Sequence, residues 1–369
     1  MAQVCLTSRR AAAIAMIVAC GAGCKSAPPS ATVEGPAAIT PAPAGGAPAP
    51  AGAAAAPTAS AAAPAAAAGA APAPLPAPPP APPSCVDDGA PYGEAELRAR
   101  VALLAAPELD GRAPGTDGDR AARTHIVERF RCLGLAAGGE RGSYEQPFDD
   151  TANVIGYVAG SDPKVGAEIV LVGAHHDHLG GGKLGANDNA SGVAALLAVA
   201  QAVRQAGAPR RTIAFVTYGA EERGLVGSTY LVAHPPAALP LDRIVEVINL
   251  DMVGSHASAR AVYAFGAFPR LAARAILAAL GPKYPKLSVG LGGHSVRGDH
   301  LGFCQKGIPY VFFWTPDRRC YHEACDTADR LDYPRMADIA SLAGGLVQRL
   351  ADTDVDLAAA RARAGCGAK

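Results

Sequence analysis

The stretch Glu168-Ile169-Val170-Leu171-Val172-Gly173-Ala174, one acid followed by six apolar or small residues, runs straight into His175-His176-Asp177-His178. Its length is that of a strand, and the lack of alternation means that both faces of the strand are covered, as in a parallel sheet packed between helices. Five more runs rich in Val, Ile and aromatics read the same way: Ala152 to Val158, Thr212 to Tyr218, Arg243 to Leu250, Ala261 to Phe265 and Pro309 to Trp314. Helical periodicity lies between them, over Ser191 to Ala206, Leu225 to Ala233, Pro269 to Leu280 and Pro334 to Leu350. It also precedes them, over Glu94 to Leu104 and Asp117 to Leu133, where Ala121, His125, Ile126, Phe130 and Leu133 recur on one face before Gly134. Strands alternating with helices predict an α/β fold, a three-layer sandwich with a central mostly parallel, mixed β-sheet flanked by helices. Ligands of such a domain bind at the carboxyl ends of the strands.

Half of the 369 residues are apolar and the formal net charge is zero, but these averages mix two different segments. From Pro41 to Ser84, 40 of 44 residues are Ala, Pro or Gly, and none is Asp, Glu, Lys or Arg. Such a segment buries too little apolar area to offset its ordering entropy, so residues 21–84 read as a disordered, Ala/Pro-rich tether, extended where proline is dense. All 19 aromatic residues lie beyond it, and residues 85–369 read as a single folded domain. That domain carries 30 Lys and Arg against 32 Asp and Glu, which leaves no basic stripe for a nucleic acid.

Arg9 and Arg10 precede the apolar run Ala11 to Ala19, which has the length of an export signal and is far too short to span a bilayer. Ile17-Val18-Ala19-Cys20 resembles the lipobox of bacterial lipoproteins; Gly21-Ala22-Gly23-Cys24 is a second candidate, with Gly where that pattern has a larger aliphatic residue. Residues 1–20 therefore read as a signal peptide with lipobox. The expected localisation is the cell envelope, at the periplasm or cell surface, with the membrane touched through an N-terminal lipid anchor only. Cys85, Cys132, Cys304, Cys320, Cys325 and Cys366 follow, an even number in an exported chain. Cys320 and Cys325 are close enough to bridge a small loop, whereas the connectivity of the other four stays open.

Metal-type side chains sit where the strands end. His175 and Asp177 follow the first run, Asp188 begins the helix after it, Glu221 and Glu222 follow Tyr218, Asp251 follows Leu250, and a late loop supplies Tyr321 and His322. Singly each has an ordinary structural explanation, a helix cap or a solvated turn. Together they form the mixed nitrogen and oxygen set of a hydrolytic zinc site. The strings GAHHDHLG (173–180), GANDNASG (185–192), YGAEERGLVGS (218–228), NLDMVG (249–254) and CYHEACDT (320–327), in that order, resemble the dizinc aminopeptidases of peptidase family M28. The segment ELDGRAPGTDGDRAA (108–122) resembles the usual entry to that family's domain.

The resemblance implies two zinc ions per chain, with cobalt or manganese able to occupy the same ligands. His175, Asp188 and Asp251 would hold one ion and Asp188, Glu222 and His322 the other, so that Asp188 bridges them. A shared carboxylate suits two dications about 3.5 to 4 Å apart. Asp177 would orient the His175 imidazole. Glu221 would be the general base for a hydroxide between the zinc ions, and Tyr321 would stabilise the oxyanion. His176 faces away on this reading, and neither it nor His178 is placed in the site. The resemblance also implies a cis peptide between Asp188 and Asn189, and Gly298-Asp299-His300 stands where many relatives have Ser-Asp-His near the substrate.

The expected activity is hydrolysis of N-terminal peptide bonds in peptide substrates with a free N-terminus. On the same fold, a single-zinc glutaminyl-peptide cyclotransferase is disfavoured by the complete two-metal set. A carboxypeptidase would use basic residues such as Arg297, Arg318 and Arg319 to hold a terminal carboxylate. A non-catalytic binding module of the receptor type would have lost ligands that this chain retains.

Overall fold

The computed structural model describes residues 89–256 and 260–361. The export signal, both lipobox cysteines, the Ala/Pro tether, Cys85 and Cys366 lie outside the described residues. In chain order the strands are β1 (Ala136–Ala137), β2 (Glu145–Phe148), β3 (Thr151–Val158), β4 (Ile169–His175), β5 (Thr212–Tyr218), β6 (Ile244–Asp251), β7 (Ala261–Phe265), β8 (Ser288–Leu291) and β9 (Tyr310–Trp314). The α-helices are α1 (Glu94–Leu104), α2 (Asp117–Cys132), α3 (Gly192–Ala206), α4 (Val226–Ala233), α5 (Ala272–Leu280), α6 (His300–Gln305), α7 (Tyr333–Asp352) and α8 (Leu357–Arg361). No helix among the described residues is long and apolar enough to cross a membrane.

The strands form one sheet in the order β1-β3-β5-β4-β6-β9-β7-β8, with β2 also paired to β3. Its centre is parallel: β4 runs with β5 on one side and β6 on the other, and β6 runs with β9. Towards the flanks β3 and β7 are antiparallel to β5 and β9, which makes the sheet mixed, as expected. From β4 the chain passes through α3 to β5 and then crosses to the opposite side of β4 to form β6. This reversal opens a crevice at the carboxyl ends of β4, β5 and β6.

Alternate residues of β4 feed two separate cores. Val170, Val172 and Ala174 pack with α1, α2, α3, α5 and α7, while Ile169 and Leu171 pack with Leu231 and Val232 of α4 and Phe303 of α6. A strand covered on both faces needs a continuous apolar run, which is why the sequence around Val170 carries no alternation. Helix α3, in the middle of the first layer, is apolar on nearly every side for the same reason.

The strands end slightly later than their apolar runs, because His175 closes β4 and Asp251 closes β6. Five elements were not expected from the sequence, and two of them, the two-residue β1 and the five-residue α8, are too short for any period to show. β2 contains Pro147 and pairs only with β3, where a missing N–H is tolerated; β8 is a four-residue edge strand containing Gly290; α6 has six residues, too few for a helical period to emerge.

Glu246, in the middle of β6, is 2% exposed, and its Oε1 has no hydrogen-bond partner. Burial pushes its carboxyl up from the usual 4.5 to about 8, so the folded chain keeps this proton at neutral pH. The unfolded chain releases it earlier, so this group makes stability fall as pH rises from 4.5 to about 8. Glu246→Gln should therefore change stability little near pH 5 and gain on the parent by about 3 kcal/mol by pH 8. Urea unfolding at the two pH values measures this; parallel profiles for parent and variant would refute it.

Candidate metal centre

The carboxyl ends of β4, β5 and β6 bring five carboxylates and two histidines together, and a loop after β9 adds a third histidine. His175 Nε2 lies 3.2 Å from Asp188 Oδ1 and 3.5 Å from Asp251 Oδ1. On the other side of Asp188, Oδ2 is 3.2 Å from His322 Nε2, which is also 3.0 Å from Glu222 Oε2. Asp188 thus presents one oxygen to each group. The Asp188–Asn189 peptide is cis, as the resemblance implies.

The donors fit zinc. His175, Asp188 and Asp251 offer ligand atoms within 4.8 Å of one another, as do His178, Asp188 and Glu222, and each group combines imidazole nitrogen with carboxylate oxygen. Asp251 Oδ1 is buried without a hydrogen bond, an acceptor awaiting a cation. Charge tells the same story. Burial works against a charged His175, yet Glu221, Asp177, Asp188 and Asp251 together hold it well above the usual histidine range. Burial likewise works against an ionised Asp188, and the His175 and His322 side chains hold its carboxyl far below the usual range.

His178, which the sequence reading left out, is buried at this centre. Its Nδ1 is 2.8 Å from Glu222 Oε1, and its ring meets that of His322 edge-on, with centroids 5.6 Å apart. His176 faces away, as expected, with its Nε2 3.2 Å from Asp119 Oδ1 of α2. The Asp177 carboxylate accepts the main-chain N–H groups of Glu221 (3.0 Å) and Glu222 (3.2 Å), and its Oδ1 is 3.7 Å from His175 Nδ1. The nearer partner of that ring nitrogen is the Asp177 main-chain oxygen, at 3.1 Å. Asp177 therefore ties the end of β4 to the end of β5.

The Asp188 loop is anchored from two sides. Asp326 accepts the N–H groups of Asn187 (2.7 Å) and Asp188 (3.0 Å). Asn189 Nδ2 donates to the Leu250 carbonyl (2.9 Å) and Asn189 Oδ1 accepts from Met252 N (3.2 Å), while Asn187 Oδ1 accepts from Gly254 N (2.9 Å). These bonds hold Asp188 in register with Asp251. Ala220, Met252 and His322 have left-handed φ of 56°, 52° and 60°, beside or at the metal-type residues; such conformations gather at functional sites, where surrounding contacts impose them.

Cys320 and Cys325 form the expected disulfide around Tyr321 and His322, with Cα atoms 5.3 Å apart. Cys132 and Cys304 are each in a disulfide as well. The Tyr321 ring stacks on His322, with centroids 3.8 Å apart. Burial, then the carboxylates of Asp188 and Glu222, push the Tyr321 hydroxyl up to about 12, so it stays a donor. A cavity of about 480 Å³ opens over the centre, lined by His175, Asp188, Glu221 and Asp251 together with Phe265, Phe312, Trp314, Arg297, Gly298 and Arg318. Burial pushes Glu221 up to about 9; His175 opposes the rise, and Asp299, Asp251 and Glu222 add to it.

Residues 153–347, more than half of the chain, match the profile of Peptidase family M28, and the chain belongs to that family. Leupeptin-inactivating enzyme 1 of Streptomyces exfoliatus is 30% identical over 259 residues, covering 63% of this chain and 56% of that protein. The probable lipoprotein aminopeptidase LpqL of Mycobacterium tuberculosis is 32% identical over 173 residues, covering 44% of this chain and 33% of that protein. The chain thus spans about half the length of the first relative and a third of the second. The zinc aminopeptidase BSAP of Bacillus subtilis shares the fold, with a TM-score of 0.61 at 17% identity over 73% of this chain and 98% of that one.

A ligand that binds only the folded chain stabilises it by mass action, by about 2.7 kcal/mol at 100 times its Kd. Zinc should accordingly raise the melting temperature of the chelator-stripped protein, and Asp188→Asn should lose most of that rise. A variant that responds to zinc like the parent would place the metal elsewhere.

Proposed function

We propose that this protein is a metallo-aminopeptidase that uses two zinc ions to hydrolyse the N-terminal peptide bond of peptides with a free amino terminus. The observation that carries the reading is Asp188, whose two oxygens face separate ligand groups with Glu221 beside them in one cavity. His175, Asp188 and Asp251 would hold one ion and Asp188, Glu222 and His322 the other. His178 would serve from outside, since it bonds the Glu222 oxygen turned away from His322 and so fixes that carboxylate. Bound there, zinc supplies Lewis acidity toward a carbonyl oxygen and makes water a stronger nucleophile.

The chain's own groups do the rest. Glu221, whose proton affinity burial raises, takes a proton from the attacking water and hands it to the departing amine nitrogen. With zinc bound, Glu221 would have a lower proton affinity, in a range where its carboxylate is free to accept. The Tyr321 hydroxyl, protonated and stacked against His322, donates to the oxyanion of the tetrahedral state, a contribution worth about 3 kcal/mol. Glu221 and Asp251 receive the α-ammonium of the substrate, and Phe265, Phe312 and Trp314 offer a wall to its first side chain.

Aminoacyl anilides should be cleaved by the holoenzyme and left intact after chelation, with two zinc ions per chain. Glu221→Ala should lower kcat by about 100-fold to 10,000-fold while retaining both ions. Turnover that survives chelation, or a fully active Glu221→Ala, would sink the mechanism. One zinc per chain with cyclisation of N-terminal glutamine would support the cyclotransferase reading instead.

We further infer that the chain is exported and lipid-anchored, from the lipobox-like Ile17-Val18-Ala19-Cys20 and the similarity to a probable lipoprotein aminopeptidase. Replacing Cys20 with Ser should release the protein from the membrane fraction, unless Cys24 is the lipidated residue. Retention on membranes after substitution of both would refute the anchor.

A further inference from the structure

Arg112 belongs to the entry segment, ahead of residues 153–347, and takes no part in the function proposed above. It is among the largest fully buried side chains, with 0% exposure. All the hydrogen bonds of its guanidinium go to main-chain carbonyls. Nε donates to His176 O at 2.7 Å, Nη1 to Leu184 O at 2.9 Å and to Leu104 O, and Nη2 to Gly185 O at 2.9 Å. A guanidinium removed from water is costly unless its donors are satisfied in this way.

The carbonyls it holds are not scattered. His176 follows the ligand His175 directly, and Leu184 and Gly185 stand just before the bridging Asp188. One rigid, planar group therefore grips both ends of the segment that separates these two ligands. The neighbours of Arg112 hold the middle of the same segment. Asp110 accepts the N–H groups of Gly181 (3.2 Å) and Gly182 (2.7 Å), and Asp119 meets His176 Nε2. Gly111 permits the close approach: its φ is +70°, and a Cβ there would lie 2.2 Å from the Lys183 carbonyl. A carboxylate accepting from N–H groups and a guanidinium donating to C=O groups make the entry segment a template for the loop.

We propose that Arg112 is a positioning residue of the metal centre, setting the separation of His175 and Asp188 by gripping main-chain carbonyls on both sides of the loop between them. The proposal rests on the two-zinc reading above. Arginine is specific to the task. Its nitrogens diverge in a plane, whereas a lysine ammonium is a single point and cannot reach four carbonyls from three segments.

The test measures zinc affinity of the full chain, stripped with chelator and titrated with zinc against a competing chromophoric chelator, alongside thermal unfolding of the metal-free form. Arg112→Lys and Arg112→Gln should both fold without metal and bind zinc about 10-fold to 100-fold more weakly than the parent, as is usual when a group that orients ligands is lost. A role confined to packing would lower the melting temperature and leave the zinc affinity of the folded protein unchanged, which would overturn the proposal. So would metal-free forms of both variants that are unfolded while the metal-free parent is folded, because Arg112 would then serve the fold as a whole. The parent titration tests the underlying reading separately: a parent that binds no zinc fails before any variant is compared.

Discussion

Asp177, Asp188, Glu221, Glu222 and Asp251 are crowded at one end of the sheet, and the mutual repulsion of these carboxylates is the constraint to which the surrounding structure responds. Imidazoles answer part of it, since His175 touches two of the acids and His322 two. Main-chain N–H groups answer another part, at Asp177. What remains is an excess of buried acceptors, including Asp251 Oδ1, whose nearest imidazole, His175 Nε2, stays 3.5 Å away, and such an excess suits dications. Such a cluster keeps its shape only on a stiff support. The parallel centre of the sheet, apolar on both faces, supplies it, and the bonds from Asp326, Asn187 and Asn189 carry that stiffness into the Asp188 loop.

The same logic separates what could be read in the sequence from what could not. The strands around Val172, Phe215 and Ile248 were legible because burial on two faces leaves a run of apolar residues, and chain order alone then put the metal-type residues at one edge. Asp188, Glu222 and Asp251 were recognisable because strand ends and helix starts place chemistry beside obvious local structure. His178 was not. Its position follows from the path of residues 176–185, which is set by left-handed glycines at 180, 181, 182 and 185 and by bonds from the entry segment. Arg112 was invisible for a related reason: its partners are main-chain carbonyls, which every residue carries and no sequence pattern advertises. Asp326 hid the same way, its carboxylate meeting main-chain N–H groups of the loop. β2 and β8 escaped because edge strands need neither a long run nor freedom from Pro and Gly.

The cavity draws its two halves from different parts of the sheet. The metal-type residues hang from β4, β5 and β6 and from the disulfide-bounded loop, whereas the aromatic wall of Phe265, Phe312 and Trp314 belongs to β7 and β9. β7 and the edge strand β8 join the rest of the sheet through β9, and residues 266–271 lead from β7 into α5. Substitutions in that outer part can reshape the wall without moving a metal-type residue, so on the proposed function selection could retune which peptides are admitted while the hydrolytic groups stay in place. In a lineage, such a chain is free to change its diet faster than its chemistry.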